Sequence, residues 1–86
     1  MTAVVRGRVQ GVGFRRYVRT WGRKLGLGGY VRNAQDGSVH VVAEGRMAAL
    51  DRFARLLWGG PPGARVRDVE ADRGAPRGAG PFEIRR

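Results

Sequence analysis

The sequence contains no cysteine. No disulfide staples it, and no thiol is present to act as a nucleophile or a metal ligand. Such a chain suits a reducing compartment, and a cytoplasmic location is the expectation. No apolar run approaches the roughly 20 residues that a membrane helix needs. The stretch Met1 to Val9 lacks the apolar segment of a signal peptide and enters a strand-like pattern almost at once. No membrane partner is expected. Histidine occurs once, as His40, and lysine once, as Lys24. The seven acids (Asp36, Glu44, Asp51, Asp68, Glu70, Asp72 and Glu83) are scattered along the chain. A metal site requires several His or carboxylate ligands brought together. This distribution offers no such motif, so neither a metal nor a cofactor is expected.

What is abundant is arginine. The 86 residues carry a net charge of +10. With Gly and Ala also plentiful, this resembles the coding bias of a GC-rich genome. The charge by itself fits a solvated basic surface as well as an attraction to phosphate or nucleic acid. A chain of this length makes one domain, spanning 1–86, and buries about 60–65% of the surface that its unfolded form exposes.

The hydrophobic pattern changes period several times. Ala3 to Val9 is rich in valine and reads as a first strand. Glycines at 11 and 13 break it. Phe14, Val18, Trp21 and Leu25 then recur at spacings of four, three and four, one face of a helix that Gly26 ends. Leu27 to Arg32 is a second strand, Asn33 to Gly37 a turn, and Ser38 to Glu44 a third strand with Val39, Val41 and Ala43 on one face. Met47, Leu50, Phe53, Ala54 and Leu57 share the face of a second helix, which Gly59-Gly60-Pro61-Pro62-Gly63 ends. Arg65 to Asp72 reads as a fourth strand, with Val66 and, one slip later, Val69 and Ala71 facing inward. Arg73 to Pro81 is a Gly/Pro loop, and Phe82 to Arg86 a short closing strand. The order β-α-β-β-α-β predicts an α+β, ferredoxin-like sandwich: an antiparallel sheet with two helices on one face. That plan hosts many unrelated activities.

Chemistry concentrates where the first strand meets the first helix, at Gly7-Arg8-Val9-Gln10-Gly11-Val12-Gly13-Phe14-Arg15. Glycine lets the backbone turn sharply. Successive N–H groups in such a turn cradle an anion, and the start of the following helix adds unpaired N–H groups and a positive dipole end. Arg15 and Arg16 fall in the first turn of that helix, where a cation opposes the dipole by roughly 0.3–1 kcal/mol. An anionic ligand reverses that conflict, and unrelieved local conflicts mark functional sites. The run is not a Walker loop, since no Gly-Lys-Ser/Thr follows, and its glycine spacing is not that of a dinucleotide fingerprint. A second feature is Gly29-Tyr30-Val31-Arg32-Asn33, followed by Gly37-Ser38-Val39. Asparagine is favoured in turns because its side chain bonds nearby backbone, so the residue alone leaves a structural role open.

The first of these runs closely resembles the first signature of the acylphosphatase family, and the second resembles the family's second signature. The spacing between them and the remainder of the chain, through Glu44-Gly45 to Phe82-Glu83-Ile84-Arg85, fit as well. The resemblance implies a stand-alone, metal-independent hydrolase of acyl phosphates. On this resemblance Arg15 matches the phosphate-binding arginine and Asn33 the residue that positions the attacking water. The loop Gln10, Gly11, Val12, Gly13 and Phe14 would supply backbone donors. The expected partners are a small acyl phosphate, with inorganic phosphate or sulfate as product or mimic, and the protein is expected to be a monomer. The short segment before Gly7 and the Arg- and Gly-rich loop after Asp72 depart from the family pattern without touching either signature.

Two rival functions remain. RNA-recognition domains share this order of elements, and Gly11-Val12-Gly13-Phe14 is faintly similar to their Gly/aromatic motif. That motif belongs on an exposed central strand. Here it lies at a strand-helix turn, and the third strand carries no aromatic residue, so nucleic acid is not the expected partner. The other rival is a phosphate-binding accessory domain of a larger carbamoyl-transfer system, against which a free-standing chain argues unless it was excised. His40 is expected to be a solvated residue on the strand face opposite Val39 and Val41, away from both signatures. Arg6, Arg8, Arg32 and Arg46 are expected to shape the surface potential.

Overall fold

A computed structural model of the chain describes residues 1–74 and 78–86. The element order is β1 (Thr2–Arg8), α1 (Phe14–Lys24), β2 (Gly28–Asn33), β3 (Val39–Glu44), α2 (Met47–Gly59), β4 (Arg65–Asp72) and β5 (Glu83–Arg85). The strands form one sheet in the order β4-β1-β3-β2-β5. The pairs β1–β3, β1–β4 and β2–β3 are antiparallel. The first four strands therefore follow the ferredoxin-like plan expected from the sequence. The closing strand differs from that expectation. It pairs with β2 in parallel, Val31 opposite Ile84 and Arg32 opposite Arg85, and makes the sheet mixed. The middle of the expected Arg73 to Pro81 loop, 75–77, lies outside the described residues.

Alternation along each strand puts Ala3, Val5, Val31, Val39, Val41 and Ala43 on one buried face. The helices lie on that face. From α1 come Phe14, Val18 and Gly22, and from α2 come Leu50, Phe53 and Leu57. Tyr17 ties the two helices together, its hydroxyl donating to the Leu56 carbonyl at 2.7 Å. Helix α1 ends as Gly26 predicts. With Gly26 at φ 71°, its N–H donates to the Arg23 carbonyl, and Leu27 N–H donates to that of Gly22. These two bonds form a Schellman motif whose following residue, Leu27, enters the core.

Three expectations fail locally. Met47 is 65% exposed. The helical period identifies a face but not how far the sheet covers it, and Met47 stands in the first turn of α2 with Arg73 Nη1 against its sulfur at 3.4 Å. Ala71 is exposed near the end of edge strand β4, although Val66 and Val69 reach the core. The slip between them has a structural origin: Arg6 pairs with Asp68 and Gly7 with Val66, which leaves Arg67 unopposed. His40 lies on the expected outer face but is half-buried there, 3.2 Å from Arg32 Nη2 through its Nδ1.

One packing contact was not legible in the sequence. Phe82 is fully buried, with its ring edge-on to Phe53 at 5.8 Å between centroids. It fills the space above Gly22, where a Cβ would come within 2.6 Å of the ring. Alanine at position 22 gains about 1 kcal/mol of helix propensity over glycine. Overpacking costs about 1–3 kcal/mol, and Phe53 leaves the Phe82 ring little room to yield. Gly22→Ala is therefore expected to lower the melting temperature, by about 4–8 °C for each net kcal/mol. A melting temperature at or above that of the parent would show that the ring moves aside freely.

Candidate active site

The loop between β1 and α1 is shaped by two glycines in the left-handed region, Gly11 at φ 74° and Gly13 at φ 79°. A Cβ at either position would meet nothing within 4 Å. Glycine is required there for backbone conformation and not for space. Gly13 caps α1 without any side-chain hydrogen bond. The first backbone bond of the helix runs from Tyr17 N–H to the Gly13 carbonyl at 3.1 Å, so the N–H groups of Phe14, Arg15 and Arg16 have no partner within the helix. No acid stands in this first turn. Arg15 and Arg16 occupy it instead, as expected. The Phe14 side chain is buried and that of Val12 packs against the core, which leaves backbone as these residues' offering to a ligand.

The second wall is the end of β2. Asn33 is the last residue of that strand, opposite Val39. The turn that follows is closed by Ala34 N–H to the Ser38 carbonyl (2.9 Å) and Gly37 N–H to the Ala34 carbonyl (3.2 Å). Asp36 Oδ1 accepts from Ser38 Oγ at 2.5 Å and from Ser38 N–H at 3.0 Å. These bonds hold the Asp36 carboxyl below its ordinary range. Their contribution to the turn is present above the unfolded carboxylate range and is lost as pH falls through the lowered value. Gln10 crosses from the first loop to this turn. Its Nε2 donates to the Ala34 carbonyl at 2.8 Å and to the Ser38 carbonyl at 2.9 Å.

Between the two walls lies a cleft of about 550 Å³, lined by Val9, Gly11, Gly13, Phe14, Arg15, Arg16, Asn33, Ile84 and Arg86. Arg15 is half-buried and Arg16 exposed. Asn33 Oδ1 is buried and is the one such side-chain atom without a hydrogen-bond partner among the described residues. A buried polar atom left unpaired costs about 1–3 kcal/mol, so it marks a place where a polar ligand atom belongs. The cleft thus presents a guanidinium and a row of free N–H groups, and Asn33, one of its lining residues, carries an unpaired acceptor buried at the wall. The first two suit a phosphoryl group, and the third suits a water molecule.

The family model for acylphosphatase matches residues 1–84. The chain belongs to the acylphosphatase family. It is 46% identical over 84 residues to an acylphosphatase from Deinococcus radiodurans, covering 98% of this chain and 97% of the relative. It is 45% identical over 84 residues to one from Chromohalobacter salexigens, covering 98% and 93% respectively. The crystal structure of the acylphosphatase from Bacillus subtilis superposes with a TM-score of 0.94 at 37% identity, covering 99% of this chain and 96% of that one. The chain is accordingly a hydrolase that acts on acyl phosphates.

In this acylphosphatase, Gly11, Gly13, Phe14, Arg15 and Asn33 all meet at one cleft. Gln10 and Val12 do not line it. The first turns its amide to the β2–β3 turn and the second turns its side chain to the core. Ile84 and Arg86, also in the lining, were missed from the sequence. They arrive because β5 runs parallel to β2 and ends beside Asn33. A three-residue strand carries no pattern that reveals which neighbour it joins. Among the described residues, no group of three or more His, Cys, Asp or Glu stands together, and no helix is long and apolar enough to cross a membrane.

Proposed function

We propose that Arg15 and the backbone N–H groups of the Gln10–Phe14 loop bind the phosphoryl group of the acyl phosphate, and that Asn33 positions the water that attacks it. The observation that carries this reading is the convergence of Arg15, the unpaired first-turn N–H groups and Asn33, whose buried Oδ1 has no partner, on one cleft. The carboxylate is a good leaving group, so it departs without protonation. What the protein supplies is position and charge compensation. Arg15 offers two parallel donors to two phosphoryl oxygens. Asn33 Oδ1 accepts a hydrogen bond from the water as its oxygen bonds to phosphorus. The P–O bond to the carboxyl breaks, and the water's proton passes to the phosphate formed. The products are a carboxylate and inorganic phosphate, and sulfate mimics the latter.

The cleft lining draws on residues from Val9 to Arg86, which supports one domain over 1–86. The lack of cysteine supports a cytoplasmic setting. The outer sheet face carries Asp68, Glu70 and Glu83 among its arginines, with Arg6 engaged by the first two at 3.4 and 2.9 Å. That pairing of charges supports a small anionic substrate over a nucleic acid. The reading is tested by thermal melts in rising phosphate. A ligand at about 100 times its dissociation constant adds roughly 2.7 kcal/mol to the native state, so the melting temperature should climb in the parent and stay level in Arg15→Ala. Equal melting temperatures in phosphate and in chloride at matched ionic strength would overturn the assignment.

A further inference from the structure

The side chain of Gln10 has no part in the cleft lining, yet it spends both of its amide hydrogens on one feature. Nε2 donates to the carbonyls of Ala34 and Ser38, at 2.8 and 2.9 Å. Those two residues are the ends of the turn that begins immediately after Asn33. Each carbonyl already accepts one backbone hydrogen, Ala34 from Gly37 and Ser38 from Ala34. Gln10 therefore takes up the remaining acceptor capacity at both ends of the turn. The turn is already closed by its own backbone bonds and by Asp36, so a third brace is redundant for its local shape. What the Gln10 bonds add is a link between two segments 24 and 28 residues apart in the chain. At one end of the link is the residue preceding Gly11 in the phosphoryl cradle. At the other is the residue following Asn33.

We propose that Gln10 is a positioning residue: its amide fixes the Asn33 wall of the cleft relative to the phosphoryl cradle, and so sets the distance from the water to phosphorus. This rests on the roles proposed above for Arg15 and Asn33. A misplacement of about 1 Å caused by a change away from the chemistry can cost about 100-fold in rate. Phosphate binding depends on Arg15 and on backbone N–H groups and does not pass through the link.

The test is a double-mutant cycle on hydrolysis of benzoyl phosphate, with the inhibition constant of inorganic phosphate measured alongside. Gln10→Ala is expected to lower kcat by about tenfold or more, with the phosphate inhibition constant changed by less than about threefold. Gln10→Glu has the same shape but presents an acceptor to two carbonyls, and should do no better. In the Asn33→Ala background, Gln10→Ala should cost less than about twofold, because residues that act through one another are not additive. Gln35→Ala removes an exposed amide from the same turn and should leave kcat unchanged. If Gln10→Ala is too unstable to assay, Gln10→Met preserves the reach without the donors and takes its place. A folded Gln10 variant that melts early but keeps the parent kcat would overturn the proposal, as would full additivity with Asn33→Ala. Parent turnover in a folded Asn33→Ala protein is a separate result, which removes the underlying reading of Asn33.

Discussion

Arg15→Ala is expected to lower the turnover of an acyl phosphate by about 10²–10³-fold or more while the protein melts near the parent temperature. Removing one placed donor from a site of developing charge costs about 2.7–4 kcal/mol, and a guanidinium provides two donors with a full charge. The fold should tolerate the change. Arg15 makes none of the side-chain hydrogen bonds or ion pairs found among the described residues, and it sits at a helix N-terminus where a cation is unfavourable. Losing it removes a local penalty, so the melting temperature without phosphate should hold or rise slightly. Arg15→Lys should also be severely impaired, because a single ammonium does not reproduce two parallel bonds to a planar pair of oxygens. Arg16→Ala, at the exposed neighbour, should lose far less. Parent-like turnover in a folded Arg15→Ala protein would dismiss this cleft as the site of reaction.

The second large effect is expected at Asn33. Asn33→Ala should lose most of its turnover and still bind phosphate, since Arg15 and the loop N–H groups remain. Stability should change little, or improve, because the substitution deletes a buried oxygen that has no protein partner. This separates the proposed role from that of an ordinary turn asparagine, whose loss would lower the melting temperature and leave chemistry intact. Asn33→Asp should be worse than its matching size suggests, because it sets a negative charge beside the phosphoryl oxygens. The side chains that line the cleft include no histidine or acid, so turnover should be nearly level between about pH 5 and 8, apart from ionisation of the substrate. EDTA should leave it unchanged. Measuring turnover, phosphate inhibition and melting temperature on the same samples resolves these roles.

Most of the fold was legible because its elements announce themselves locally. The switch from the valines of β1 to the spacing of Phe14, Val18, Trp21 and Leu25, the stop at Gly26 and the break at Gly59 to Gly63 each depend on a few neighbouring residues. The candidate site was legible for a related reason. Two short signatures carry Arg15, the glycine loop and Asn33, and the topology of the sheet delivers them to the same end. What escaped was non-local. The parallel docking of β5, the seat of Phe82 over Gly22, the arrival of Arg86 in the cleft and the Gln10 link all join segments far apart in the chain. Burial added a further surprise at His40. A strand position facing outward is read as solvated, but Arg32 on the neighbouring strand covers part of it.

The one-residue slip in β4 also bears on how open the sheet is to edge-to-edge pairing. A sheet that is not closed into a barrel ends in strands with unpaired peptide groups, and a second molecule can extend it by hydrogen-bonding to them. Here one border is β4, where Arg65, Arg67, Glu70 and Asp72 are exposed and the unopposed Arg67 interrupts the ladder. The other border is β5, only three residues long, with Pro81 two positions before it and Arg86 directly after. An incoming strand meets charge and a kink on one side, and too short a run of peptide groups on the other. The irregularity that obscured β4 in the sequence therefore guards against aggregation. Restoring a regular apolar border, by deleting Arg67 and replacing Glu70 with valine, is the change that would invite fibrils.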